Sequence, residues 1–423
     1  MELSRSHRRR AGFSLIELMV SLAIGGLTIT SMYAIGSATT RSFRHQEEIG
    51  SLQTSLRTAL EQVKRDIARA GYLSTPNAQP VTPLAPAQTC APVVGLSNPG
   101  ALLAGISGFA NNVPTPAGSG VDPTGNNAAN GFTVDEVTLI GNYETSSQYG
   151  GVQLGPTNNP GELTFSPNTH DFRRDFTFWY QGGAPANNAS ITSIDVQGSL
   201  AEAFTPGRLV RIQTTGPLKH FAVINTAPAL VQGAGTNVQI SIVPAVPNNC
   251  VPNLAGGWIA PVSVIRYRVV DAPAPPSPAP ASPYGPHARL VREEMDPSNR
   301  SALLPPPNAG AAPRRREILD FVVGFNLQFT FNTATLPNNP DVYTIGNWQV
   351  GNVNTAPESI RAVSINLAVR TPTQDPALPF IDADGNPLCG NRRCYQVFTW
   401  PGRASVRELR AEVFLPNLAQ EGY

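Results

Sequence analysis

The sequence predicts an α+β protein. One long N-terminal α-helix, transmembrane in its first half and amphipathic in its second, packs on a large antiparallel β-sheet domain with long Pro/Gly-rich loops. Three observations carry that expectation. An apolar run from Phe13 to about Gly36 passes directly into a stripe of apolar residues spaced by three and four. Short segments rich in β-branched and aromatic residues recur beyond residue 130. Proline and glycine number 41 and 37 among 423 residues while charged residues are only 14%, a balance that suits a loop-rich extracytoplasmic β protein better than a cytosolic enzyme.

The helix comes first. A basic leader, Arg8-Arg9-Arg10-Ala11-Gly12, precedes Phe13-Ser14-Leu15-Ile16-Glu17-Leu18-Met19-Val20. As a helix rising about 1.5 Å per residue, residues 13–36 are long enough to span a bilayer, and the leader's positive charge places the N-terminus in the cytoplasm. Glu17 is the only charged side chain in the run. A carboxylate at that depth is costly, so Glu17 calls for a partner. The competing reading is a secretory signal peptide cut near Ala34 or Ala38; the length of the run and Glu17 oppose it.

From Phe43 onward Ile49, Leu52, Leu56, Leu60, Val63 and Ile67 form one apolar stripe, and Gln46, Glu47, Glu48, Arg57, Glu61, Gln62, Lys64 and Arg65 form a solvated face. That pattern is an amphipathic helix. Gly71, after Arg69-Ala70, is its expected C-cap. The expected divisions are a leader at 1–12, a membrane half at 13–36, an amphipathic half at 37–71, and a β-rich domain at 72–423 with loops at 73–130 and 271–313.

Strands are expected at Phe132–Ile140, Phe172–Tyr180, Arg208–Gln213, Phe221–Asn225, Val238–Val243, Val262–Val270, Ala288–Arg292, Ile318–Thr330 and Ile360–Arg370. In the last of these Val363, Ile365, Leu367 and Val369 alternate with polar or small residues. Such a strand is half-buried and needs a cover on one face, and the amphipathic half of the helix is the natural one. The proline-rich run 272–286 reads as an exposed inter-strand loop.

The four cysteines, Cys90, Cys250, Cys389 and Cys394, all follow the apolar run. An even count outside a membrane suggests two disulfides, with three possible pairings. Cys389 and Cys394 flank a short turn and favour a local bridge, which leaves Cys90 with Cys250; zinc is a weak alternative because no His lies near.

Other sites are thinly supported. Asp382-Ala383-Asp384-Gly385-Asn386 resembles a calcium loop, but the pattern is incomplete and a tight turn explains it. Arg314-Arg315-Arg316 suits a solvated loop better than contact with DNA or acidic lipid. Phe172, Phe176, Phe178, Trp179 and Tyr180 suit a core strand better than a ligand platform. The remaining histidines (His45, His170, His220 and His287) show no metal or triad spacing, and no nucleophile or phosphate-binding motif is present, so no enzyme activity and no cofactor are expected. The formal charge is +1, and −2 without residues 1–12, which hold four Arg and one Glu. No nucleic acid is expected as a partner.

The segment Gly12-Phe13-Ser14-Leu15-Ile16-Glu17-Leu18-Met19-Val20 resembles the cleavage and assembly signature of type IV prepilins and of the pseudopilins of type II secretion. The resemblance implies cleavage after Gly12 by a prepilin peptidase and methylation of Phe13. It also implies pairing of Glu17 with the N-terminal amine of a neighbouring subunit. Asp66-Ile67-Ala68-Arg69-Ala70-Gly71-Tyr72 resembles the end of the spine in the PilW minor pilin family and, more distantly, in GspJ pseudopilins. Further resemblances to PilW are Asp135-Glu136-Val137-Thr138-Leu139, Pro206-Gly207-Arg208-Leu209-Val210 with Phe221-Ala222-Val223, and Ile265-Arg266-Tyr267-Arg268 with Leu290-Val291-Arg292. The stretch from Ile318 to Phe325 and the ending from Arg407 to Asn417 extend it, with Pro416 where that family usually has Arg.

The implied role is assembly of a type IV pilus with other minor pilins and the major pilin, from the inner membrane to the cell surface. The alternatives are a type II secretion pseudopilin, a tip pilin that binds a ligand through its loops, and a membrane-anchored periplasmic enzyme.

Overall fold

The computed structural model describes residues 14–74, 105–109, 134–145, 147–166, 171, 175, 200–216, 218–232, 236–248, 250–271, 287–297, 299–305, 314–332, 343–346, 359–372, 394–396 and 403–416. The chain forms two compact units, residues 1–54 and 55–423.

Helix α1 spans Leu15–Ala68, close to the expected limits. It starts at Ser14, whose Oγ accepts the Glu17 N–H at 3.2 Å, the N-cap contact of an S-x-x-E sequence. It ends in a tight turn in which the Arg69 and Ala70 N–H groups bond Asp66 and Ile67 carbonyls. Gly71 then takes φ +76, the left-handed conformation expected of a C-cap. In the second unit the helix buries Leu56, Ala59, Leu60, Val63 and Ile67.

The strands follow in order: β1 (Ile106–Phe109), β2 (Glu136–Gly141), β3 (Tyr149–Leu154), β4 (Glu162–Phe165), β5 (Leu209–Gln213), β6 (Lys219–Ile224), β7 (Ala229–Gln232), β8 (Thr236–Val243) and β9 (Gly257–Asp271). Then come β10 (Ala288–Asp296), β11 (Asn299–Leu303), β12 (Arg315–Asp320), β13 (Val322–Asn332), β14 (Tyr343–Gly346), β15 (Ile360–Arg370), β16 (Cys394–Gln396) and β17 (Arg403–Phe414). They form a 12-stranded sheet and a five-stranded sheet of order β14-β13-β15-β17-β16.

The larger sheet closes on itself. β9 pairs β3 on one side and β5 on the other, and β3-β4-β8-β6-β5 completes an antiparallel ring. Tyr149, Phe165, Phe204, Ile212, Ile240 and Ile259 are among the side chains of its core. Closure removes the sheet edges that would otherwise invite pairing with other chains. The far half of β9 leaves the ring and pairs β2 and β10, and β12 adds to β10.

Among the described residues the two sheets meet at Asp135 and at Phe321. The Asp135 N–H bonds the Phe325 carbonyl at 2.7 Å, and its carboxylate accepts the Leu327 N–H at 2.7 Å. Between β12 and β13 the chain turns at Phe321, with φ +57. The expected continuous strand Ile318–Thr330 is therefore two strands in two sheets. Phe321 is held in this left-handed conformation, uncommon for a bulky residue, with its ring stacked on His287 at 4.3 Å and under the Arg370 guanidinium at 5.3 Å.

β15 has the expected bounds, and Val363, Ile365, Leu367 and Val369 are all at 0% exposure. The expected strands at 208–213, 221–225, 238–243, 262–270 and 288–292 appear as β5, β6, β8, β9 and β10. Phe172–Tyr180 does not read as a strand where it is described, since Asp175 within it and Asp171 beside it are helical; its aromatic residues lie outside the described residues. β1 lies within the expected loop 73–130, where its pairing with β2 supplies the order that its glycine-rich sequence hides.

Candidate assembly site

The first unit presents an apolar helix surface. Leu15, Ile16, Leu18, Met19, Val20, Leu22, Ile24, Leu27, Ile29, Met32 and Ile35 are all more than half exposed. The helix is long and apolar enough to cross a membrane. Its polar hydroxyls are satisfied internally: Ser21, Thr28, Thr30, Ser31, Thr39 and Thr40 bond carbonyls one turn back at 2.7–2.8 Å. Such back-bonding lets hydroxyl residues enter hydrocarbon without an unmet donor.

Glu17 lies in the first turn of α1 and is exposed. There it benefits from the positive end of the helix dipole. The proposed cleavage pair Gly12 and Phe13 lies outside the described residues. Ser14, which caps the helix beside them, is the residue sequence reasoning missed; the Ser14-Leu15-Ile16-Glu17 spacing held the signal.

The second candidate element is the buried end of α1. Asp66, 8% exposed, is the buried charged residue of the helix among the described residues. Its Oδ2 accepts the Tyr267 hydroxyl and the Arg292 Nε, each at 2.7 Å. Tyr267 and Arg292 are direct cross-strand neighbours on β9 and β10. The Tyr143 hydroxyl donates to the Asp66 carbonyl at 3.1 Å, and the Gly71 N–H to the Ile140 carbonyl at 2.8 Å.

The approach is close enough that a Cβ on Gly141 would lie 2.5 Å from the Arg69 carbonyl oxygen. Burial and the Asp66 charge push the Tyr143 and Tyr267 hydroxyls well above the usual tyrosine range, so both stay neutral donors. Burial opposes the Arg292 charge, but the charge and hydrogen bond of Asp66 outweigh it and hold its pKa above the ordinary value. Asp66, Tyr267 and Arg292 come from three segments far apart in sequence, and the fold brings them together. These polar contacts tie the end of α1 to β2, β9 and β10 of the larger sheet.

β10 carries two further buried carboxylates on opposite faces. Glu293, at 0% exposure, receives Arg266 Nη2 at 2.7 Å, Arg268 Nε at 2.9 Å and Arg315 Nε at 2.6 Å. Burial raises its pKa, but bonds and charges from Arg268 and Arg266 prevail and hold it below the ordinary range. Glu294 pairs with Arg208 and Arg314 at 2.7 and 2.8 Å. Burial is again outweighed, here by the two guanidinium charges, and its pKa falls. Arg208 also faces Glu144 at 3.3 Å, yet burial keeps that carboxyl above its usual value.

The expected solvated loop at Arg314-Arg315-Arg316 is thus a correction. Arg315 and Arg316 belong to β12, and Arg314 and Arg315 are claimed by Glu294 and Glu293. A basic run looks solvated in sequence when its acidic partners lie 20 and 22 residues upstream.

The remaining candidates stay apart. Burial lowers the His220 pKa, and its ring nitrogen lies 3.2 Å from the Pro244 carbonyl. His287 Nε2 is 3.6 Å from Asp320 Oδ1. Among the described residues no three His, Cys, Asp or Glu side chains converge as a metal site. Cys250 is buried and is not a free thiol. Cys90, Cys389, the Cys394 side chain and the turn 382–386 lie outside the described residues, and no bridge between described residues supports either expected pairing.

Residues 7–33 match the family model of the prokaryotic N-terminal methylation motif. No curated protein matches the chain. No solved structure does so either. The motif indicates a type IV pilin-like protein of pilus or secretion assembly, whose apolar helix fits a single-pass inner-membrane subunit.

Proposed function

We propose that this protein is a minor pilin of the PilW type that helps to prime type IV pilus assembly at the filament tip. What supports the reading most is one continuous helix that carries the methylation motif at its start and is buried at its end against a β-rich unit. A prepilin peptidase cuts after Gly12 and Phe13 is methylated. Residues 13–36 hold the subunit in the inner membrane with the N-terminus cytoplasmic, and residues 72–423 form the periplasmic head. In the assembly the Phe13 amine of one subunit meets Glu17 of another, since two charges that are each costly in an apolar medium satisfy one another. Asp66, Tyr267 and Arg292, whose segments resemble the PilW pattern in sequence, lie together in the fold. Residues far apart in sequence answer one another across the fold.

The test is deletion of the gene and complementation with wild type or with Glu17→Ala. Loss of surface pili, restored only by the wild type, is the expected result. Normal pili with lost secretion of folded proteins would assign the chain to a type II secretion pseudopilus. Normal pili with lost surface attachment would assign it to adhesion.

A further inference from the structure

We infer that Asp66 is the register pin of the spine, a positioning residue that fixes which turn of α1 meets the sheet; the inference rests on the assembly reading above. On the buried face Leu56, Ala59, Val63, Asp66 and Ala70 follow one another at steps of three and four. Every member of that seam except Asp66 is apolar. An apolar seam by itself slips cheaply, because a shift of one turn exchanges one aliphatic contact for another; here the Gly71–Ile140 backbone bond and the Asp66 socket together oppose the shift. A shift of one turn moves the helix about 5.4 Å, nearly twice a hydrogen-bond length.

After such a slip the Asp66 carboxylate leaves Tyr267 and Arg292; the Tyr267 hydroxyl is stranded in the interior, and Asp66 and Arg292, 12% and 22% exposed, lose their pairing. Buried charge without a partner is the most heavily penalised state of an interface. A single polar residue at a seam position selects register in coiled coils by the same physics. The socket is also directional. Tyr267 and Arg292 sit opposite each other on adjacent strands, and both reach the same oxygen, Oδ2. Rotation of the helix therefore breaks the contact as surely as translation does.

Register matters to a subunit that joins neighbours through both its N-terminal segment and its head. An offset of about 5.4 Å exceeds the 4 Å or so within which an ion pair forms. A slipped subunit would carry the buried end of α1 displaced along the sheet by more than that distance. The pin thus serves assembly more than stability, since replacing a buried ion pair by apolar side chains is often neutral for stability.

The test uses the full-length protein in detergent micelles and in the complemented deletion strain. Spin labels at Glu61→Cys and Glu317→Cys, positions 64% and 55% exposed, report the helix-to-sheet distance by double electron–electron resonance. The wild type is expected to show one distance. Asp66→Asn keeps a polar acceptor for Tyr267; it should melt lower than the wild type, keep one distance and still assemble. The double variant Asp66→Leu with Arg292→Met should melt closer to the wild type, show a second distance and lose incorporation at least tenfold. A purely structural role predicts the opposite order, with assembly following melting temperature.

One distance and normal incorporation in the double variant would overturn the inference, as would a second distance or lost assembly in Asp66→Asn. If the double variant does not fold, Asp66→Asn decides by the same two readouts. Glu17→Ala separates the two levels: its normal incorporation sinks the assembly reading, while the spin-label distances still judge the pin.

Discussion

Glu293→Gln removes the charge at the centre of β9, β10 and β12 while keeping the size of the side chain. The wild-type carboxylate is fully buried and receives guanidinium groups from Arg266, Arg268 and Arg315. Gln offers one acceptor oxygen and turns an amide N–H₂ toward cations, so at least one guanidinium loses its partner. Removing one member of a buried pair costs about 3–5 kcal/mol. Arg315 and Arg268, 40% and 28% exposed, can relax toward water, whereas Arg266 at 13% has less freedom. The lower end, about 3 kcal/mol, is therefore expected.

The pH dependence fixes the cause. Because the folded state holds the Glu293 pKa below its ordinary value, the stabilisation is present above the unfolded glutamate pKa and is lost as pH falls through the folded one. Urea unfolding of the full-length protein in micelles, followed by tryptophan fluorescence, measures both variants at neutral and acid pH. The difference should be near 3 kcal/mol at pH 7 and shrink on acidification. A difference below about 1 kcal/mol at pH 7, or one that grows in acid, would refute the reasoning.

Gly141→Ala should destabilise the second unit by about 1–3 kcal/mol, because its Cβ would meet the Arg69 carbonyl oxygen; thermal melting checks it, and an unchanged midpoint would count against the close approach. Leu56→Ala should cost about 2–5 kcal/mol, since Leu56 is at 0% exposure, and a cost below 1 kcal/mol in urea would show that the helix is not part of the core. Asp320 is held below the ordinary aspartate range by its His287 bond and by Arg289. Its contribution is thus present above that range and lost as pH falls through the folded value. The side chain is 51% exposed, so Asp320→Asn should cost less than about 1 kcal/mol at pH 7, and a larger loss would show that water screens this pair less than its exposure implies.

Much of the helix and the strongest strand are legible in the sequence, for reasons that are local. The stripe from Leu52 to Ile67 has one period, Gly71 supplies the left-handed cap, and β15 alternates between two environments along its whole length. β17 is harder to read. Its residues include Arg403, Arg407, Glu408, Leu409, Arg410, Ala411 and Glu412, which favour helices in isolation, and its strand form comes from nine paired positions along β15. The break at Phe321 is likewise set by a backbone angle that a β-branched run does not disclose. Closure of the ring through both sides of β9 is a long-range property with no local mark.

The assembly site divides in the same way. Glu17 stands out as a lone acid in an apolar run, and Ser14 has the capping spacing. Asp66 looks like one more polar residue near the end of an amphipathic helix. Its step of three from Val63 and four to Ala70 puts it on the seam, and only the structure supplies Tyr267 and Arg292. The loops expected at 73–130 and 271–313 carry no such periodicity, and neither do the pairings of Cys90, Cys250, Cys389 and Cys394.

The most direct measurement is the mass of the N-terminal peptide of the mature protein recovered from cells. The account predicts a chain that begins at Phe13 and is heavier by one methyl group, and a precursor that accumulates uncut when Gly12 is replaced. A mature chain that still begins at Met1, or one cut near Ala34 or Ala38, would contradict it.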